Sequence, residues 1–421
     1  MTSLAAVCAG ILIASVLLRA YLTFVFLCNT QSTGLPAALP DPAPRVSVFM
    51  PVRGADPHLP QAIQSLLDQD YPNFDVRIVV DSSQDEGWEV VQQTLRDLHT
   101  TRVSVSELMQ RCPTCSLVCN ALLQFVDEVG ERSELVTFCA SDMVVAKNWM
   151  REMVAALTDP SVGTTMGNRW YMASTSGWGT LVRYLWNVIG NVNMWHHGIL
   201  WGGTVCLRVK DVHRARLPAL WATSMVEDVP LRSALARIGL SVKYVPELIV
   251  VNRDEISLGQ CIRFLTRQMF WTHTYATNAI AFLMFAVLVG PTTVALLVLL
   301  PLGVYLGQPA ATGWSAAALL LQIAVATTTA GLLESRVRRM MRRRGEVVTP
   351  IPIHYFWRLP FAVLLAQLVV CYAILVSRFM RRMSWRGVTY QIDGPFNVRL
   401  IADERKDPGP LAAVVGQPTK T

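Results

Sequence analysis

The sequence predicts an α/β domain with a mostly parallel sheet, held to a membrane by one N-terminal and about three C-terminal transmembrane helices. Three observations carry that expectation. Hydrophobic residues make up 52% of the 421-residue chain and charged residues only 16%, an apolar excess beyond that of ordinary soluble proteins. The excess is concentrated in four runs, each near the ~20 residues that cross a hydrocarbon core as a helix. Between the first run and the second, strand and helix patterns alternate, which implies a parallel sheet covered by helices.

The first run, residues 4–28, is apolar apart from Arg19 and a few small polar residues. It has no basic n-region and is too long for a secretory signal, so residues 1–28 read as a retained anchor. Residues 29–44, "NTQSTGLPAALPDPAP", form a proline-rich linker that favours neither helix nor strand. The soluble domain then occupies 45–255. Within it "RVSVFMPV" reads as a strand, "LPQAIQSLLDQD" as a helix, "FDVRIVVDSS" as a strand and "EGWEVVQQTLRDL" as a helix. "TRVSVSEL" is the next strand, "SLVCNALLQFVDEV" a helix and "ELVTFCASDMVV" a strand.

In open sheets of this kind ligands bind beyond the carboxyl ends of the strands. Two of those ends carry acids, Asp81 and Asp142. No glycine-rich dinucleotide or P-loop pattern follows the first strand, which weakens both of those readings. A third acid site is "SMVEDVPLRSALARIG", where Glu227 and Asp228 precede a helical pattern. Alone, that pair reads as a helix N-cap; its weight comes from standing third in one membrane-tethered α/β domain.

Residues 256–275 end the domain with "LGQCIRFLTRQMFWTHTY", in which Ile262, Leu265 and Met269 fall at helical spacing between Arg263 and Arg267. Trp271 and Tyr275 stand where aromatic rings favour a bilayer interface, so the segment reads as an interfacial amphipathic helix. The membrane region, 276–377, holds the uncharged runs 277–306, 312–333 and 359–377, with a basic loop at 334–345. That loop, containing "SRVRRMMRRR", carries six arginines; the positive-inside rule makes it cytoplasmic, and counting spans back places the soluble domain on the same face. For a bacterial source this is the inner membrane. The basic segment "RFMRRMSWR" opens the tail, 378–421. It would lie outside, against the rule, if 359–377 fully crossed; a re-entrant or surface-lying last segment removes the conflict.

The net charge of +7 is mostly carried by these juxtamembrane arginines, which favour anionic lipid headgroups. Basic residues in the soluble domain are scattered rather than striped, so no nucleic-acid partner is expected. Among nine cysteines, "CPTCSLVC" holds Cys112, Cys115 and Cys119. No second CxxC or histidine pair stands at a matching distance for zinc, and they read as reduced thiols, with Cys119 on a buried helix face. His196 and His197 are adjacent, hence about 100° apart on a helix, without an evident third ligand. Trp170, Trp178, Trp195 and Trp201 suit a lipid or sugar site as well as packing against the membrane side, and the sequence leaves both open.

Taken in order, these motifs resemble glycosyltransferase family 2, and within it the ceramide glucosyltransferase group. Its three separated Asp sites and (Q/R)xxRW motif are matched by Asp81, Asp142, Asp228 and "RQMFW". "PVRGADPHL", "DYPNFDV", "GGTVCLRVKDV" and "WRGVTY" resemble further group segments, so the likeness covers nearly the whole chain. Three positions depart: the family's Asp-x-Asp is Ala140-Ser141-Asp142, the motif arginine is Phe270, and a lysine of many relatives is replaced by Val118.

The resemblance implies a GT-A fold, Rossmann-like with a mostly parallel sheet, and an inverting transfer of a hexose from a nucleotide sugar to a membrane lipid hydroxyl. UDP-glucose is the expected donor and a ceramide-like lipid the expected acceptor, with the bilayer as a partner. It implies Arg53, Asp81 and Asp142 on the donor, Asp81 at the uracil or ribose. Asp142 would hold Mn²⁺ or Mg²⁺, ions that take oxygen ligands and accept one or two carboxylates plus substrate phosphates. Asp228 would be the general base, flanked by Glu227, and Arg267, Gln268 and Trp271 would contact acceptor or phosphate. A processive polysaccharide synthase is the rival enzyme, disfavoured because about four runs are few for a conduit. A catalytically degenerate membrane scaffold is the rival from another class, motivated by Ala140, Phe270 and Val118.

Overall fold

A computed structural model describes residues 1–32, 37–172, 175, 177–276 and 279–404. Residues 33–36 of the expected linker, 277–278 at the start of the second apolar run and 405–421 of the tail lie outside the described residues. The chain divides into two compact units. One comprises Met1–Leu35, Met166–Ile199 and Tyr244–Phe379; the other comprises Pro36–Thr165, Leu200–Lys243 and Met380–Thr421. Residues 166–199 and 244–255 group with the long helices, and residues 380–404 group with the sheet.

In chain order the helix α1 (Thr2–Asn29) precedes β1 (Val46–Val52), α2 (Leu59–Leu67), β2 (Phe74–Val80), α3 (Glu86–Leu98) and β3 (Val103–Glu107). Next come α4 (Leu117–Val129), β4 (Leu135–Phe138), α5 (Trp149–Ala156), β5 (Val162–Met166), β6 (Arg169–Tyr171) and α6 (Trp178–His197). β7 (Cys206–Arg208), α7 (Val209–Arg214), α8 (Leu217–Trp221), α9 (Leu231–Ala236), β8 (Ser241–Tyr244) and β9 (Val250–Asn252) follow. The long helices are α10 (Leu258–Tyr275), α11 (Ala279–Tyr305), α12 (Pro309–Arg343) and α13 (Ile353–Ser377). The described chain closes with β10 (Arg382–Trp385), β11 (Val388–Gly394) and β12 (Asn397–Asp403).

The main sheet has the order β3-β2-β1-β4-β7-β5-β8. β3, β2, β1 and β4 are parallel, and β7 runs antiparallel to both β4 and β5. This is the α/β, mostly parallel architecture the alternating pattern predicts. β1 is buried at every position but Pro51, as expected of a central parallel strand covered on both faces. Helix starts are set by side-chain caps: Asp85 accepts from the Gly87 amide before α3, and Ser116 from the Cys119 amide before α4, each worth about 1 kcal/mol. Phe49 of β1 packs on Phe125 of α4 and Phe138 of β4, with ring centroids 5.1 and 6.1 Å apart, and Trp221 meets Phe138 at 6.1 Å. Cys119 is buried within α4. β1 lies between β2 and β4, so the strand order reverses at β1 and opens a crevice at the carboxyl ends there.

β10, β11 and β12 form an antiparallel meander within the same unit as this sheet. Trp385 pairs with Val388 across a two-residue turn in which Arg386 (φ 48°) and Gly387 (φ 77°) are both left-handed, the backbone of a type I′ hairpin. Alternation buries Val388, Tyr390 and Ile392 of β11. On β12 an irregularity between the Thr389 and Tyr390 pairings inserts Ile401 as an extra residue. The bulge shifts the phase of the strand, so Asp403 is buried at its end.

Among the described residues of the helical unit four helices are long and apolar enough to cross a membrane: α1, α11, α12 and α13. The arginines expected in a loop extend the last turns of α12 instead. Arg336 donates to Thr30 Oγ1 (2.8 Å), just past α1, and Arg344 to the Glu247 carbonyl (2.9 Å). Glu334 of α12 accepts from Trp170 Nε1 (2.9 Å) and pairs with Arg338 (2.6 Å). α13 begins with Tyr355 against Tyr184 of α6, ring centroids 6.0 Å apart, and ends with Ser377 Oγ 3.4 Å from His273 Nδ1 of α10. α10 spans the residues the sequence assigned to an amphipathic helix, started by a Ser257–Gln260 capping box.

Candidate active site at the carboxyl ends of the parallel strands

Parallel register brings the first functional residues together. Val52 is paired with Val80, so the next residue of each strand, Arg53 and Asp81, emerges at the same level. The Arg53 guanidinium reaches Asp81 Oδ2 through Nη1, and Arg111, on the loop after β3, reaches Asp81 Oδ1 through Nη2. Both arginines also hold Asp403: Arg53 Nη2 to Oδ1 at 2.9 Å and Arg111 Nη1 to Oδ2 at 2.7 Å. The four side chains close a ring of alternating charge, and their exposures of 4, 7, 18 and 8% for Arg53, Asp81, Arg111 and Asp403 place it largely out of water. Asp85 fixes the loop below by accepting from the Gly54 amide at 2.7 Å. Sequence reasoning identified Arg53 and Asp81 and missed Arg111 and Asp403.

The second group forms around Gly202 and Gly203. β4 ends at Phe138, sooner than its apolar run suggests: the Cys139 amide still bonds the Phe49 carbonyl of β1, but the chain then turns from the Ala140 carbonyl to the Met143 amide. Asp142 lies half-buried in that turn, and Ala140 offers no side-chain ligand. Asp228 Oδ2 accepts from the Gly202 amide (2.7 Å) and Oδ1 from the Val229 amide (2.6 Å). The Glu227 carbonyl accepts from the buried Trp221 indole at 2.9 Å. A Cβ at Gly202 would lie 2.4 Å from Glu227 Oε1, and one at Gly203 would lie 2.3 Å from Met143 Sδ. The two glycines are therefore the close contact that joins the Asp142 turn to the Glu227–Asp228 loop.

Glu227 and Asp228 are both partly buried. Burial, then the charge of Asp228, pushes Glu227 up to about 8. Burial pushes Asp228 up to about 6, against the lowering effect of its amide bonds from Gly202 and Val229. Two neighbouring acids with raised affinity for protons share one near neutral pH. Nearby, burial followed by the charge of Cys112 lifts the Cys115 thiol to about 12, and burial followed by the charge of Glu227 lifts Cys119 well above the ordinary range.

Arg267, Gln268 and Trp271 lie on α10, in the helical unit. Arg267 stands 5.9 Å above the Phe264 ring, and Phe270 is buried against Trp271, centroids 5.0 Å apart. His196 and His197 end α6. Among the described residues no three His, Cys, Asp or Glu side chains converge to hold a metal ion. One half-buried carboxylate at a strand end fits a divalent ion that shares the oxygens of a bound diphosphate and water; it does not fit a self-contained metal centre.

A curated ceramide glucosyltransferase from Komagataella phaffii (strain GS115 / ATCC 20864) is 35% identical over 81 residues, 19% of this chain and 16% of that protein. Solved structures similar to this one include a mannosyltransferase from Pyrobaculum calidifontis in complex with GDP-mannose and Mn²⁺, at 16% identity and TM-score 0.48, covering 88% of this chain and 98% of that one. Another is glucosyl-3-phosphoglycerate synthase from Mycobacterium tuberculosis with Mn²⁺, UDP-glucose and glycerol 3-phosphate, at 14% identity and TM-score 0.36, covering 57% and 79%. The model of glycosyl transferase family 21 matches residues 6–395, from the first helix into the C-terminal meander, and the chain belongs to that family.

Proposed function

We propose that this protein moves a hexose from a UDP-sugar to a membrane lipid hydroxyl with inversion at the anomeric carbon, a ceramide-like lipid being the favoured acceptor. The observation that carries the reading is the Glu227–Asp228 pair. In a family of glycosyltransferases it presents a carboxylate fixed by two backbone amides, with its proton affinity raised toward neutrality, as a base needs. Asp228 takes the proton of the acceptor hydroxyl as that oxygen bonds the anomeric carbon and the bond to the diphosphate breaks. Glu227 keeps the pair's remaining proton, so Asp228 is the member that exchanges. Asp81, held by Arg53 and Arg111, meets the nucleoside.

Asp142 would hold Mn²⁺ or Mg²⁺ at the diphosphate, where the ion neutralises charge on the leaving group. Arg267, Gln268 and Trp271 contact phosphate or acceptor from the helix that opens the membrane region. The basic end of α12 supports a cytoplasmic face for the catalytic unit. The domains we propose are an anchor (1–28), a linker (29–44), a GT-A domain (45–255), an interfacial helix (256–275), a membrane region (276–377) and a tail (378–421).

The test is transfer by the purified protein from a radiolabelled UDP-hexose to ceramide with Mn²⁺ or Mg²⁺. Asp228→Asn is expected to lower turnover by about 10²–10⁴-fold while UDP binding stays at the wild-type level. Undiminished turnover in that variant removes Asp228 from the role. Ala140 favours a second reading, a catalytically degenerate scaffold, which absent nucleotide binding by the wild type would select.

A further inference from the structure

Asp403 lies outside the sequence motifs described above, yet it completes the charge ring around Asp81. Each of the four carboxylate oxygens of Asp81 and Asp403 accepts one guanidinium N–H, two from Arg53 and two from Arg111. Arg53 and Arg111 follow β1 and β3, the strands on either side of β2, so they grip Asp81 from both flanks. Without Asp403 two buried guanidinium groups would face one carboxylate, an uncompensated charge in a site mostly closed to water. Each would also lose an arm of its fork, the feature that gives arginine–carboxylate pairs a fixed geometry.

Asp403 is itself held in place. The Leu400 amide donates to the Pro113 carbonyl at 2.7 Å, Tyr390 Oη accepts from the Leu117 amide at 3.1 Å, and Arg53 Nε donates to the Arg386 carbonyl at 3.0 Å. Arg386 reaches back to the Arg53 carbonyl and to Asp56 (3.3 Å). These bonds tie the meander to the loops after β1 and β3.

We propose that Asp403 is a positioning residue of the donor site, acting through Arg53 and Arg111 to hold Asp81 aimed at the nucleoside of the donor. This rests on the reading of Asp81 as a nucleoside contact. Both Asp81 oxygens keep a second lone pair, so the ring orients Asp81 without blocking it as an acceptor for a base N–H or a ribose hydroxyl. The meander is then part of the binding site rather than a tail.

The experiment is calorimetric titration of the full-length purified protein with UDP and Mn²⁺. Asp403→Asn is expected to bind UDP at least about tenfold more weakly, the scale of one lost charge-assisted hydrogen bond. Asp403→Glu should recover part of that loss. Asp393→Asn, which breaks an exposed pair with Arg399 on the same meander, should bind as the wild type does. In turnover, KM for the UDP-sugar should rise in Asp403→Asn with kcat within about twofold of the wild type. In the wild type, UDP should also slow hydrogen exchange over residues 382–404, a measurement that needs no variant to fold. Wild-type binding with Asp403→Asn equal to it, or with exchange over 382–404 unchanged by bound UDP, overturns the proposal alone. No UDP binding by folded wild type overturns the donor reading and this proposal together.

Discussion

Gly202 is the residue on which the two halves of the acid site depend. Its amide fixes Asp228, and its missing side chain leaves room for Glu227. Gly202→Ala should force the loop to shift, and misplacement of a reacting group by about 1 Å can cost on the order of 10²-fold in rate; kcat of the purified variant checks this. The acid pair also predicts a pH response. Both groups bind protons more tightly in the folded chain than an ordinary carboxyl does, so the native state holds protons that the unfolded state has released. Their stabilising effect is complete below about pH 4 and fades as pH rises through about 6 and then 8. Glu227→Gln should therefore lose less melting temperature than wild type between pH 7 and 9 while keeping the rise in kcat through about pH 6. A wild-type rate independent of pH between 5 and 8 would contradict the assignment. Asp81 and Asp142 were legible in the sequence as acids at the ends of strand patterns, and Asp228 as an acid before a helical one. Asp403 was not, since nothing local marks it and its partner Arg53 is 350 residues away.

At the scale of elements, β1, α2, β2, α3, α4 and α10 follow the sequence periodicity closely, because the pattern of each is local, and α3, α4 and α10 are also capped by neighbouring side chains. β4 ends sooner than its hydrophobicity suggests, since the chain turns from Ala140 to Met143 directly after the buried Cys139. The meander was hidden for a different reason. Its arginines read as juxtamembrane charge, and the residues it bonds in the rest of the domain lie far away in the chain. Tyr390 tests how firmly it is held. Tyr390→Phe leaves the Leu117 amide at the start of α4 without its acceptor, a loss of about 1–3 kcal/mol for a buried donor. Urea unfolding of the variant should show that decrease in stability.

For the whole molecule, the place of the meander fixes a number. It follows α13 after a few residues and belongs to the same compact unit as the main sheet, most of which precedes α11. A chain that leaves one side of a bilayer and returns to it has crossed an even number of times. Among the described residues three helices long and apolar enough to cross, α11, α12 and α13, lie between the two points, so we predict that one of them does not pass through. The end of α12 bonds Thr30 beside the end of α1, as expected if α11 and α12 are an outward and a homeward crossing. α13 starts at α6 and ends at α10, and we predict that it is the helix that lies along the bilayer. Cysteines at Gln84 and Phe396, both exposed, should then react with a membrane-impermeant maleimide from the same side of oriented vesicles. Labelling from opposite sides would make the count odd and return α13 to a full crossing.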